Sequence, residues 1–137
     1  MATHLLDHAR IFIIEDNVAN RAIMQLLLEQ QGAEISYERW GTTTVQKLME
    51  FMPVDVILMD LMITSKISGY DLFDEIRAIE AFRNVPIVAV SASDPSDAIP
   101  RTRAKGFDGF IAKPVDYDQF PKQIARILDD EQVWYAG

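Results

Sequence analysis

Five side chains of this sequence have the types and the spacing for chemistry on a phosphoryl group: Glu15, Asp16, Asp60, Ser91 and Lys113. Each follows a short apolar run. Glu15-Asp16 closes Arg10-Ile11-Phe12-Ile13-Ile14, and Asp60 closes Val54-Asp55-Val56-Ile57-Leu58-Met59. Ser91 closes Pro86-Ile87-Val88-Ala89-Val90, and Lys113-Pro114 follows Gly109-Phe110-Ile111-Ala112. Carboxylates gathered in one crevice repel each other unless a cation neutralises them. Hard oxygen ligands with room for water favour magnesium, with manganese as a substitute. A serine hydroxyl and a fixed ammonium can hold phosphoryl oxygens, and Asp60 can then attack phosphorus to give an aspartyl-phosphate. Taken singly, Asp60 also reads as a helix cap, and Ser91 and Lys113 as structural residues. Only the joint pattern lifts them.

That pattern requires elements that bring the run ends together. The runs are short, rich in β-branched residues and apolar throughout, as in strands buried on both faces. Asn17 is placed to cap a helix whose apolar face holds Val18, Ala22, Met24, Leu26, Leu27 and Leu28, with Gly32 as its stop. Ala33 to Tyr37 reads as a strand and Trp40-Gly41 as a turn. Thr42 or Thr43 starts a helix through Met52, and Pro53 introduces the central strand. Leu61 to Ser68 reads as a loop ended by Gly69. The helix after it carries Leu72, Phe73, Ile76 and Ile79 and closes at Asn84. Asp94-Pro95-Ser96 is turn chemistry. Pro100 predicts a short helix there, because proline fits only a first turn, and Gly106 ends it. The last helix spans roughly Tyr117 to Asp130, with Phe120, Ile124, Ile127 and Leu128 on one face and Pro121 in its first turn. Strand and helix alternate five times, which predicts a doubly wound α/β fold: a five-stranded parallel sheet, five helices on its two faces, and right-handed crossovers. Ligands of such sheets bind at the carboxyl ends of the strands.

At 137 residues the chain reads as one domain over 10–130, with an N-terminal extension 1–9 and a C-terminal tail 131–137. A net charge of −8 argues against nucleic acid as the main ligand. The absence of cysteine excludes disulfides, thiolate zinc sites and a cysteine nucleophile. No membrane-length apolar stretch or secretory signal is present, so a cytoplasmic protein is expected. His4 and His8 read as solvated. Trp134 and Tyr135 in the tail suit a partner contact or a capping role.

From about Arg10 to Asp130 the chain resembles the receiver domains of two-component response regulators. The resemblance rests on Glu15-Asp16-Asn17, Asp60, Ser91-Ala92 and Lys113-Pro114, in that order and each at a strand end. It implies the flavodoxin-like strand order 2-1-3-4-5 and makes Asp60 the phosphoacceptor. Glu15, Asp16, Asp60 and the backbone carbonyl of Met62 would bind magnesium. Ser91, Ala92 and Lys113 would hold the phosphoryl group, Phe110 would move with the Ser91 hydroxyl, and the Lys113-Pro114 bond would be cis. The implied donor is a histidine kinase or a histidine phosphotransfer protein, and the implied output is a switch in binding to a further protein target. The chain departs from the pattern in a loop one residue longer between Asp60 and Gly69, with Ile63-Thr64 in place of the usual Met-Pro.

Two other readings compete. A phosphatase of the haloacid dehalogenase type also uses a strand-end Asp and magnesium, but wants a second acid two positions on, where this chain has Met62. A degenerate receiver would bind partners without phosphorylation. The intact acids, Ser91 and Lys113 favour a signalling phosphoacceptor rather than a turnover enzyme.

Overall fold

The computed structural model describes residues 5–39, 43–62 and 68–137. His4, Trp40-Gly41, Thr42 and Ile63-Thr64 lie outside them. Strands β1 (Arg10–Ile14), β2 (Glu34–Glu38), β3 (Val56–Met59), β4 (Ile87–Ser91), β5 (Gly109–Ala112) and β6 (Val133–Tyr135) form one sheet in the order β2-β1-β3-β4-β5-β6. All neighbouring pairs are parallel. The helices are α1 (Val18–Glu29), α2 (Thr44–Glu50), α3 (Gly69–Arg77), α4 (Pro95–Lys105) and α5 (Gln119–Leu128), with a 3-10 turn at Glu80–Phe82.

The apolar runs lack polar alternation because both faces of the sheet are covered. Phe12, Ile57, Met59, Ile87, Ala89 and Phe110 pack against Leu48 of α2, Leu72, Phe73 and Ile76 of α3 and Ala98 of α4. The alternate residues Ile11, Ile13, Leu58, Val88 and Ile111 pack against Met24 and Leu28 of α1 and Phe120, Ile124 and Ile127 of α5. A one-residue slip in any strand would exchange the two sets, so register is fixed by packing on both sides.

Helix starts follow local capping chemistry. Asn17 Oδ1 accepts from the Asn20 N–H at 2.9 Å, Ser68 Oγ from Asp71 at 3.2 Å and Asp94 Oδ1 from Ser96 at 3.0 Å. Thr43 precedes α2 but spends its hydroxyl on Glu38, at 2.7 Å, rather than on the helix. Helix α3 ends at Arg77, with Ile79 and the 3-10 turn beyond it, and α5 begins at Gln119.

Two expectations need correction. The sheet has six strands among the described residues, not five, because residues 133–135 of the expected tail pair with β5. Gly109 makes room: a Cβ there would stand 2.6 Å from the Val133 carbonyl oxygen. Helix α4 is also not short, running eleven residues with Pro100 inside it. Pro95 occupies the first turn, where a missing N–H costs little, whereas Pro100 forfeits its bond to the Ser96 carbonyl. Burial of Ala98 and Thr102, with the Thr102 hydroxyl donating to the Ala98 carbonyl at 2.7 Å, holds the helix across that break. The N-terminal extension also packs: Leu6 is buried, and its N–H donates to the Gln31 carbonyl at 2.9 Å.

At the N-terminal edge of the sheet two arginines tie loops to strands. Arg10 donates to the carbonyls of Pro53 and Phe51, both at 2.8 Å, pairs with Glu34 and lies over the Phe51 ring. Arg77 donates to the carbonyls of Phe82 and Val85 at 2.7 and 2.6 Å and pairs with Asp108. Asp108 also accepts from the Ile87 N–H at 2.9 Å.

Candidate functional site

The opposite edge carries the chemistry. Past the end of β3, the Asp60 N–H still donates to the Ile14 carbonyl at 3.0 Å, so the acid is held beside β1. Glu15 is held in the same way through the Glu38 carbonyl at 3.1 Å, and Lys113 through the Ser91 carbonyl at 2.9 Å. The Lys113-Pro114 bond that follows is cis.

These backbone ties converge the side chains. Lys113 Nζ donates to Asp60 Oδ2 at 3.0 Å and also pairs with Glu15 Oε1. Asp60 Oδ1 accepts from the Met62 N–H at 3.2 Å, and Glu15 Oε2 from the Asn17 N–H at 3.3 Å. Glu15 is 1% exposed and Asp60 8%. Burial, reinforced by the charge on Asp60, pushes the Glu15 carboxyl up to about 7 despite its bond to Lys113. Burial alone would lower the Lys113 ammonium, but its bonds to Glu15 and Asp60 raise it on balance.

Carboxylate oxygens of Glu15, Asp16 and Asp60 lie within 4.8 Å of one another, and Asp16 faces solvent. Three carboxylates facing one ammonium leave an excess of negative charge that a dication relieves, and an exposed face leaves room for retained waters. This donor set fits magnesium. Met62 lies next to it with an exposed side chain, and its backbone is pinned by an antiparallel bridge to Ser68. Gly69 closes that loop where a Cβ would stand 2.5 Å from the Asp60 carbonyl oxygen.

The remaining sequence-selected residues lie beside this cluster. Ser91 is fully buried at the end of β4, its Oγ 3.0 Å from Ser93 Oγ and accepting from the Ser93 N–H at 3.2 Å. Ala92 is exposed between them. Phe110 lies deeper, fully buried in the face of the sheet that packs on α4. Thus Glu15, Asp16, Asp60 and Lys113 meet directly, Ser91 and Ala92 flank them, and Phe110 does not reach the crevice. Gly69 is a positioning residue that sequence reasoning treated only as a loop end. Its signal was a glycine at a helix start, where no positive φ calls for one.

Sheet order, helix placement and an acidic strand-end crevice define a CheY-like, flavodoxin-type α/β domain. The family model of the response regulator receiver domain matches residues 11–125, and the chain belongs to that family. It is 30% identical over 120 residues to the polar-differentiation response regulator DivK of Brucella ovis, covering 88% of this chain and 96% of DivK. It is 31% identical over 117 residues to the CAI-1 autoinducer sensor kinase/phosphatase CqsS of Vibrio cholerae, covering 85% of this chain. The match spans only 17% of the length of CqsS. Among solved structures, the chemotaxis response regulator CheY4 of Vibrio cholerae superposes with a TM-score of 0.78 at 20% identity, over 88% of this chain and 98% of CheY4. Among the described residues no helix is long and apolar enough to cross a membrane.

Proposed function

We propose that the chain is a signalling phosphoacceptor in which Asp60 takes a phosphoryl group from a histidine kinase or a histidine phosphotransfer protein in the cytoplasm. The observation that carries this reading is the placement of Asp60 at the end of β3, one oxygen on Lys113 at 3.0 Å and the acids Glu15 and Asp16 alongside. An Asp60 carboxylate oxygen attacks phosphorus in line with the phosphohistidine nitrogen, the P–N bond breaks with its electron pair going to the imidazole, and an acyl phosphate remains. Lys113 holds an equatorial phosphoryl oxygen, and the Ala92 N–H with the Ser91 hydroxyl holds the others. Glu15, Asp16, Asp60 and the Met62 carbonyl would bind magnesium, which when present neutralises charge on the phosphoryl oxygens. Drawing the Ser91 hydroxyl inward from Ser93 gives Phe110 room to shift, and that shift alters binding to a protein target.

No acid stands at Met62 to protonate an alcohol leaving group, so donors are limited to activated phosphoryl compounds and turnover of monoesters is not expected. The test is intact mass with magnesium and acetyl phosphate. One phosphoryl group per chain, labile to hydroxylamine and absent in Asp60→Asn, supports the reading. Repeated turnover of a phosphate monoester favours a phosphatase. No gain from acetyl phosphate or from a competent kinase favours a phosphorylation-independent binding module.

A further inference from the structure

Strand β6 lies against Phe110, the one proposed switch residue outside the crevice. Its register partners are Gly109 for Val133, Phe110 for Trp134 and Ile111 for Tyr135. Register partners in a parallel pair face the same side, so Trp134 stands beside Phe110, packed on the same apolar cluster. The Arg103 guanidinium lies 4.6 Å from the Trp134 ring centroid. Gly109 is shaped for this strand, since any side chain there would strike the Val133 backbone. Strand β6 is an edge of the sheet, anchored by the buried Val133. It is three residues long, and its Trp134 and Tyr135 are only half-buried. A cleft of about 470 Å³ borders Tyr135 and Gly137 on one side and Ser93 and Lys113 on the other, so the far end of β6 faces open space shared with the site.

We propose that β6 is a detachable cover on the outer edge of β5, loosened when Asp60 carries a phosphoryl group. The inference rests on the phosphoacceptor reading above. Phe110 is fully buried in a close-packed face, with Ser91 toward the site and Trp134 toward the edge. When the Ser91 hydroxyl turns to the phosphoryl group, Phe110 moves into the space it leaves. The gap then opens on the Trp134 side, where lost contacts are not replaced. A three-residue edge strand with two half-buried side chains then releases, and the backbone edge of Gly109–Ile111 is uncovered. By reciprocity, weakening β6 must favour the loaded site by the same factor.

The test uses the whole chain with magnesium and beryllofluoride as the phosphoryl mimic, read by hydrogen exchange and amide shifts. Amides of 133–135 are expected to exchange on the order of fivefold faster or more once the mimic binds, the lower end of ordinary coupling. Trp134→Ala is expected to speed that exchange without the mimic and to tighten beryllofluoride binding by a similar factor. Gly109→Ala, which pushes on the Val133 backbone rather than removing the indole, is expected to do the same if Trp134→Ala does not fold. Shifts at Asp60 and Lys113 with unchanged exchange at 133–135 would overturn the cover and leave the phosphoacceptor reading standing. No mimic bound and no mass gain from acetyl phosphate would remove both.

Discussion

Lys113 Nζ sits 3.0 Å from Asp60 Oδ2 while it also pairs with Glu15, so one ammonium holds two buried carboxylates at the end of the sheet. Lys113→Met leaves both acids without a cationic partner. Breaking a buried pair from one side costs about 3 kcal/mol or more, and that loss is expected in urea unfolding of the metal-free protein. Magnesium should return part of it. Equal stability of variant and parent would show that the ammonium is not what holds the acids together.

Glu15 makes the site pH-sensitive. Its folded value is raised to about 7 from an ordinary 4.5. The stability it contributes is therefore fully present below about 4.5 and lost as pH rises through 7. Metal-free protein should lose stability across that window, and Glu15→Gln should flatten the profile. Magnesium affinity should run the other way, strengthening as the proton leaves. Urea midpoints and magnesium titrations between pH 5 and about 8 give both slopes.

Asp16→Asn should remove most of the magnesium affinity while leaving the fold intact, because Asp16 is exposed and the other two acids are engaged with Lys113. Amide shifts of Asn17 and Met62 on titration report the binding. Unchanged affinity would take Asp16 out of the ligand set.

Gly69→Ala should damage the chemistry from outside the crevice. The added methyl group meets the Asp60 carbonyl oxygen at 2.5 Å and Leu61 Cα at 2.8 Å, both backbone atoms that cannot yield cheaply. Displacing a reacting group by an ångström costs on the order of a hundredfold in rate, and a loss of that order is expected in uptake from acetyl phosphate. Normal uptake would mean that the loop absorbs the methyl group without moving Asp60.

Pro100→Ala should stabilise α4. It restores a donor for the Ser96 carbonyl at an exposed position, and a helix-interior proline costs up to about 3 kcal/mol, so a rise in the urea midpoint is expected. A fall would mean that the proline is accommodated through contacts that alanine cannot replace.

Buried parallel strands announce themselves as unbroken apolar runs, so β1, β3, β4 and β5 were legible, and with them the line of polar groups at their ends. Parallel pairing then puts Glu15, Asp16, Asp60 and Lys113 at one edge without any knowledge of side-chain geometry. Strand β6 was not legible, since three residues carry no period and Trp134-Tyr135 suit a surface contact equally well. The available signal was Gly109, a glycine inside an apolar strand, which marks close approach of another backbone. Helix α4 was misjudged because proline propensity is local, whereas the burial of Ala98 and Thr102 is decided by the sheet beneath. Engagement of the Ser91 hydroxyl by Ser93 depends on a rotamer, which no sequence pattern encodes.

The two arginine ties give the molecule a stiff end and a compliant one. Arg10 and Arg77 bind four loop carbonyls between them, all at the edge where β1, β3, β4 and β5 begin. At the far edge short local bonds at Met62 and Ser93 hold the loops after β3 and β4, and these loops border open clefts. Under the proposed function, a phosphoryl group on Asp60 would deform the half of the open sheet that can bend, while the anchored half keeps the strands in register. Shape change and unfolding would thereby be uncoupled: amides where β1 and β4 begin are expected to keep their exchange rates when the opposite end of the sheet is loaded.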